Sequence, residues 1–158
     1  MIKTNRTAFT EINFNNLFMN QETERIFEAI ETGDESAKKG ALLVLGDDIE
    51  YAHFAPEVLQ EIVQRLINIA VLETDEVIRG AIFRNIGKGL MQRMNHEEII
   101  FDPLINALDK DEPVFICAVL YLISTAYRRE YIPLISKYLD HPDAEVRKEA
   151  QESLDFFD

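Results

Sequence analysis

Three histidines, one cysteine and a lysine set between glycines are the residues of this chain whose types could carry covalent or metal chemistry. A hydrolase or transferase needs a nucleophile within hydrogen-bond reach of a base, and a zinc site needs His and Cys ligands at short spacing. His53, His96 and His141 lie far apart, each in a polar stretch, and no HExxH is present. Cys117 has no second cysteine to pair with. The stretch IGKGL around Lys88 lacks both the spacing of a phosphate-binding loop and a strand before it. The histidines therefore read as solvated turn residues. Cys117, inside an apolar run, reads as a small buried hydrophobe. No catalytic group, metal or cofactor is expected.

What remains is binding chemistry. The 158 residues carry 29 acids against 16 bases, a formal net charge of −13. Such a surface repels phosphates and anionic headgroups, so neither nucleic acid nor membrane is an expected partner; a basic protein is. The densest acidic run is DDIEYAHF, with Asp47, Asp48, Glu50 and Tyr51 beside His53 and Phe54. It reads as a solvated surface or, on an inserted loop, as a recognition segment in which aromatics anchor and charge steers. Glu73, Glu76 and Glu112 stand at further turns.

The elements that must position these residues are helical. In PEVLQEIVQRLINIA, the residues Val58, Leu59, Ile62, Val63, Leu66, Ile67 and Ala70 recur at spacings of three and four and form one stripe. Ile26, Phe27 and Ile30 repeat that spacing, as do Leu104, Ile105 and Leu108, and again Leu134, Ile135, Tyr138 and Leu139. No segment alternates long enough for a strand, and 6 Gly with 5 Pro are too few for a turn-rich β protein. The length suits one domain of all-α class.

The helices repeat. DESAKKGALLVLG, DEVIRGAIFRNIG, DEPVFICAVLYLI and DAEVRKEAQESLD align without gaps from Asp34, Asp75, Asp111 and Asp143. Each Asp suits a helix N-cap, where its carboxylate accepts from unpaired first-turn N–H groups. Apolar anchors follow at Ala37, Ile78, Val114 and Val146, and recur one and two turns on: Ala41 and Leu45, Ile82 and Ile86, Ala118 and Leu122, Ala150 and Leu154. Bases stand one place after the anchor at Lys38, Arg79 and Arg147, with Phe115 the exception.

This pattern resembles the HEAT-repeat family, most clearly in YIPLISKYLDHPDAEVRKEAQESLDFF, with its Pro133 and the Asp143, Val146, Arg147, Ala150, Leu154 series. The resemblance implies a right-handed α-solenoid of four helix pairs over residues 21–158, about nine helices in all, with residues 1–20 as an N-terminal cap. It also implies that the recurring bases pair with a turn Asp of an adjacent repeat, a structural ladder, with a binding surface as the alternative. In the third repeat Val114, Ala118 and Leu122 would supply the core face. Ile116, Leu120, Ile123 and Tyr127 would then point elsewhere, covered by neighbouring second helices or exposed as a protein-binding patch.

Some HEAT-like proteins are lyases or DNA-repair enzymes, but this chain has no Trp for base stacking, and acids outnumber bases along its length. In size, charge and repeat class it is similar to the HEAT-like immunity proteins of bacterial toxin–immunity systems, including contact-dependent growth inhibition. That resemblance implies a non-catalytic, monomeric protein binding a basic toxin domain. Its contacts would be Asp47, Asp48, Glu50 and Tyr51, then Glu73, Glu76 and Glu112, with Leu120 and Tyr127 as apolar anchors. An adaptor within a larger assembly is the alternative. The start lacks a secretory pattern, no apolar run approaches the ~20 residues of a membrane span, and one cysteine suits a reducing compartment, so a cytoplasmic location is expected.

Overall fold

The computed structural model describes residues 19–158, apart from 53 and 111. Eight α-helices and no strand occur among these residues: α1 (Gln21–Thr32), α2 (Glu35–Tyr51), α3 (Pro56–Leu72), α4 (Glu76–Leu90), α5 (Asp102–Ala107), α6 (Pro113–Thr125), α7 (Ile132–Ser136) and α8 (Ala144–Asp155). The two short helices α5 and α7 each run on into a tighter 3-10 turn, Leu108–Lys110 and Lys137–Asp140. Residues 1–18, most of the expected cap, lie outside the described residues.

Helix starts follow the Asp-led pattern in three of the four repeats. The Asp34 carboxylate accepts from the Ala37 N–H at 2.8 Å, Asp75 from Val77 and Ile78, and Asp143 from Glu145 and Val146. Each such cap contributes about 1 kcal/mol. The third repeat departs from it. Helix α6 begins at Pro113 behind Glu112, which makes no side-chain cap, and proline's fixed φ suits that first helical position.

That shift moves the core face of α6 away from the expected residues. Val114 is exposed and Ala118 only half-buried, whereas Phe115, Ile116, Val119, Leu120, Leu122 and Ile123 are buried. Helix α6 lies between α4 and α8 and is covered on both sides. In the first repeat Ala37 is exposed, and Leu42, Leu45 and Ile49 form the core face instead. In the second and fourth repeats the expected anchors Ile78, Ile82, Ile86, Val146 and Ala150 are buried.

One apolar cluster runs from Phe27 to Phe157. Within it the second helix of each pair packs on the next: α2 on α4, α4 on α6 and α6 on α8. Two glycines set the spacing. A Cβ on Gly46 would stand 2.7 Å from Asn85 Oδ1, and one on Gly89 would stand 2.4 Å from Val63 Cγ2. At the first approach the Asn85 amide donates to the Leu42 carbonyl at 2.8 Å, so this buried polar side chain is satisfied.

The recurring bases join repeats in two different ways. Lys38 Nζ lies 2.6 Å from Glu73, an acid in the turn of the next pair. Arg79 sits over the Phe115 ring, 4.9 Å from its centroid. The exception to the base pattern is thus the partner of the preceding base. Arg147 instead donates to the His141 and Pro142 carbonyls within its own turn.

Candidate protein-binding surface

The four second helices run in one direction. Near their starts, Lys38 meets Glu73 just ahead of α4, and Arg79 of α4 meets Phe115 of α6. At their ends, Lys88 of α4 meets Glu50 of α2 at 3.0 Å, and Tyr127 beyond α6 stacks on Phe157 beyond α8 at 5.5 Å between centroids. All four C-termini therefore reach one rim of the molecule. Each carries the partial negative charge of its unpaired carbonyls there.

Every one of these ends also leaves a large apolar or aromatic side chain open. Tyr51 is 67% exposed, Met91 67%, Tyr127 55% and Phe156 49%. Tyr127 holds this place in a left-handed conformation, φ 56°, which a side chain bearing Cβ adopts at a cost of ~1 kcal/mol or more.

The carboxylates are densest where α2 ends, and no base occupies its last turn. Asp47 is exposed. Asp48 is half-buried, and that burial, with Glu22 and Asp47 nearby, raises its carboxyl above the ordinary range. Glu50 is held below its usual range by the Lys88 ammonium and by the Tyr51 hydroxyl, which donates to it at 3.0 Å. The Tyr51 hydroxyl is raised in turn by that carboxylate. The middle of the rim carries positive charge at Arg128 and Arg129. Arg128 is engaged by Glu130 and the Ile99 carbonyl, and Arg129 by the Phe157 carbonyl.

The expected contact residues separate into three places. Asp47, Asp48, Glu50, Tyr51 and Tyr127 share the C-terminal rim, although the first four lie on the end of α2 and not on an inserted loop. The helix runs past the expected boundary because Ile49 continues its apolar stripe. Glu76 and Glu112 are exposed at the opposite rim, where α4 and α6 begin. Glu73 lies there too, turned inward: its side chain is 8% exposed and accepts from Lys38 and from the Thr74 and Asp75 N–H groups. Leu120 is fully buried and presents no surface at all. Met91 and Phe156 were not among the expected contacts, because the sequence does not show that the four helix ends share one rim. Each directly follows the last residue of its helix, where Tyr51 closes the first repeat.

The histidines are less solvated than their polar surroundings suggest. His53 lies outside the described residues. His141 is half-buried, accepts from the Asp143 N–H through Nδ1 and lies tilted against Tyr138. His96 is half-buried beside a cavity of about 520 Å³ that Asn95, Tyr127, Arg128 and Glu130 also line, and its Nε2 is buried without a hydrogen-bond partner. Among the described residues that cavity has no Ser, Thr or Cys on its walls. The Cys117 thiol is raised by burial and by Glu149, Asp143 and Glu145 on the neighbouring helix and its cap.

Among the described residues no three His, Cys, Asp or Glu side chains gather as a metal site, and no helix is long and apolar enough to cross a membrane. In comparisons with known proteins, the chain matches no family model, no curated protein and no solved structure.

Proposed function

We propose that this chain is a right-handed HEAT-like solenoid of four helix pairs, capped by residues 1–20, that acts without catalysis by binding a basic protein. The observation that carries this reading is the C-terminal rim, where four aligned helix ends, the carboxylates of α2 and four exposed apolar side chains coincide. Aligned carbonyl ends and carboxylates attract cations. Tyr and Met side chains beside them supply the contact area that slows dissociation. Three carboxylates crowded at a helix C-terminus oppose the macrodipole in the free protein, and a cationic partner would relieve that conflict.

The partner is, in this reading, a toxin domain with a basic substrate cleft, which a monomeric immunity protein fills in the cytoplasm of the cell that makes both. A chain at −13 would occupy that cleft where nucleic-acid phosphates bind, and long-range attraction would make its association fast. The test is to express the product of the adjacent gene with and without this protein. Toxicity that disappears on co-expression supports the immunity role. A neighbour that is harmless alone, or a toxicity that co-expression leaves unchanged, overturns it in favour of an adaptor.

A further inference from the structure

A second surface lies between α2 and α4. Their packing leaves a groove of about 470 Å³ whose walls include Leu43, Val77, Ala81, Lys39, Arg84 and Lys88. Leu43 and Val77 are 69% and 62% exposed, so the apolar part of this groove is uncovered among the described residues. Lys39 stands at one end and Lys88 at the other, held by Glu35 and Glu50. Arg84 stands between them and makes no ion pair or hydrogen bond with any described residue. Glu35 and Glu50 thus answer the charges of Lys39 and Lys88, and the Arg84 guanidinium is the cation of this groove left without an acidic partner among the described residues.

Two helix-interior glycines border the same face without serving the fold. A Cβ on Gly40 would meet nothing within 4 Å, and one on Gly80 would meet only the Arg84 guanidinium at 3.8 Å. Each costs about 1 kcal/mol relative to alanine. A bare backbone at these positions lets another backbone approach closely.

We propose that the α2–α4 groove binds an amphipathic helix of a partner protein whose apolar face is flanked by carboxylates. From Val77 to Lys88 the groove spans three turns of α4, about 16 Å, which suits a helical segment of similar length. Its apolar side chains would enter between Leu43, Val77 and Ala81, in the manner of a helix laid in a groove. A carboxylate would pair with the planar fork of Arg84. This surface meets the acidic rim at the Lys88–Glu50 pair, and the proposal does not depend on the reading given for the rim.

The test uses the full chain and a fluorescein-labelled, hydrocarbon-stapled 14-residue peptide with Leu on one face and Glu flanking it. A second peptide has Lys in place of every Glu. Fluorescence anisotropy should show saturable binding of the Glu peptide and none of the Lys peptide. Arg84→Glu and Leu43→Asp should each weaken binding at least tenfold, with circular dichroism unchanged because both positions are exposed. No binding, equal binding of the two peptides, or full binding by Arg84→Glu would overturn the proposal. So would a concentration-dependent dimer abolished by Leu43→Asp, which would make a second copy the occupant. Binding that appears only after removal of residues 1–18 would make the chain's own N-terminal segment the occupant and would overturn it as well.

Discussion

Replacing Glu73 with Gln isolates the contact that joins the first two repeats. The substitution keeps a side-chain oxygen for the Thr74 and Asp75 N–H groups, each 2.9 Å away, and removes the charge facing Lys38 Nζ at 2.6 Å. The Lys38 and Glu73 side chains are 21% and 8% exposed, so the pair is largely shielded and its hydrogen bond is charge-assisted. Such bonds contribute about 1.5–3 kcal/mol, and the residual access of Lys38 to water favours the lower end, about 1.5 kcal/mol. For a chain of this size that corresponds to a Tm loss of about 3–6 °C at neutral pH. Burial alone would push the Glu73 carboxyl up, but Lys38 and the two N–H groups together hold it below 4.5. A carboxyl depressed in the folded state adds stability that is present above its unfolded value and is lost as pH falls through the folded one. Thermal melts of the two proteins should therefore differ at pH 7 and converge as the pH is lowered below 4.5. Equal melting temperatures at pH 7, or a difference that persists unchanged into acid, would refute the reasoning.

Three further outcomes are expected. Asp48→Asn should raise Tm at pH 7, because a carboxyl raised in the folded state costs stability as pH climbs through and above its unfolded value of 3.8; at pH 3 the gain should vanish, and a lower Tm at pH 7 would contradict the assignment. Val119→Asp, which buries a charge at a fully enclosed site, should abolish the cooperative melt, whereas Ala118→Asp on the half-buried side should leave a folded chain by circular dichroism. Asp47→Lys, at an exposed position, should leave Tm within about 1 °C while slowing association with the proposed basic partner and flattening its salt dependence in stopped-flow measurements.

The all-α class was legible because apolar residues at helical spacing recur through almost the whole chain, and the Asp-led turns marked three helix starts correctly. The fourth was not legible. Asp111, Glu112 and Pro113 offer adjacent starting points, and the helix begins at the proline, so its side chains turn by one residue. That single step exchanged Val114 for Phe115 and Ala118 for Val119 in the core, and it placed Leu120 inside. An apolar run with no polar face gives no signal by which to choose its register. The rim was half legible. Asp47, Glu50 and Tyr51 stand out in composition, but Met91 and Phe156 join them only because four helices run in the same direction, which is a property of packing. The α2–α4 groove was not legible at all, since Val77 and Arg84 lie on α4 and Leu43 on α2, and no local pattern links the two helices.

Hydrogen exchange on the complex with the proposed toxin partner tests the central claim most directly. The account predicts new protection at residues 47–52, 90–92, 126–128 and 155–158, the ends of the four second helices. It also predicts that the combined change of Asp47→Lys and Tyr51→Ala removes that protection while the free protein's exchange stays as it was. Protection confined to the opposite rim around Glu76 and Glu112, or a footprint that the double variant leaves intact, would contradict it.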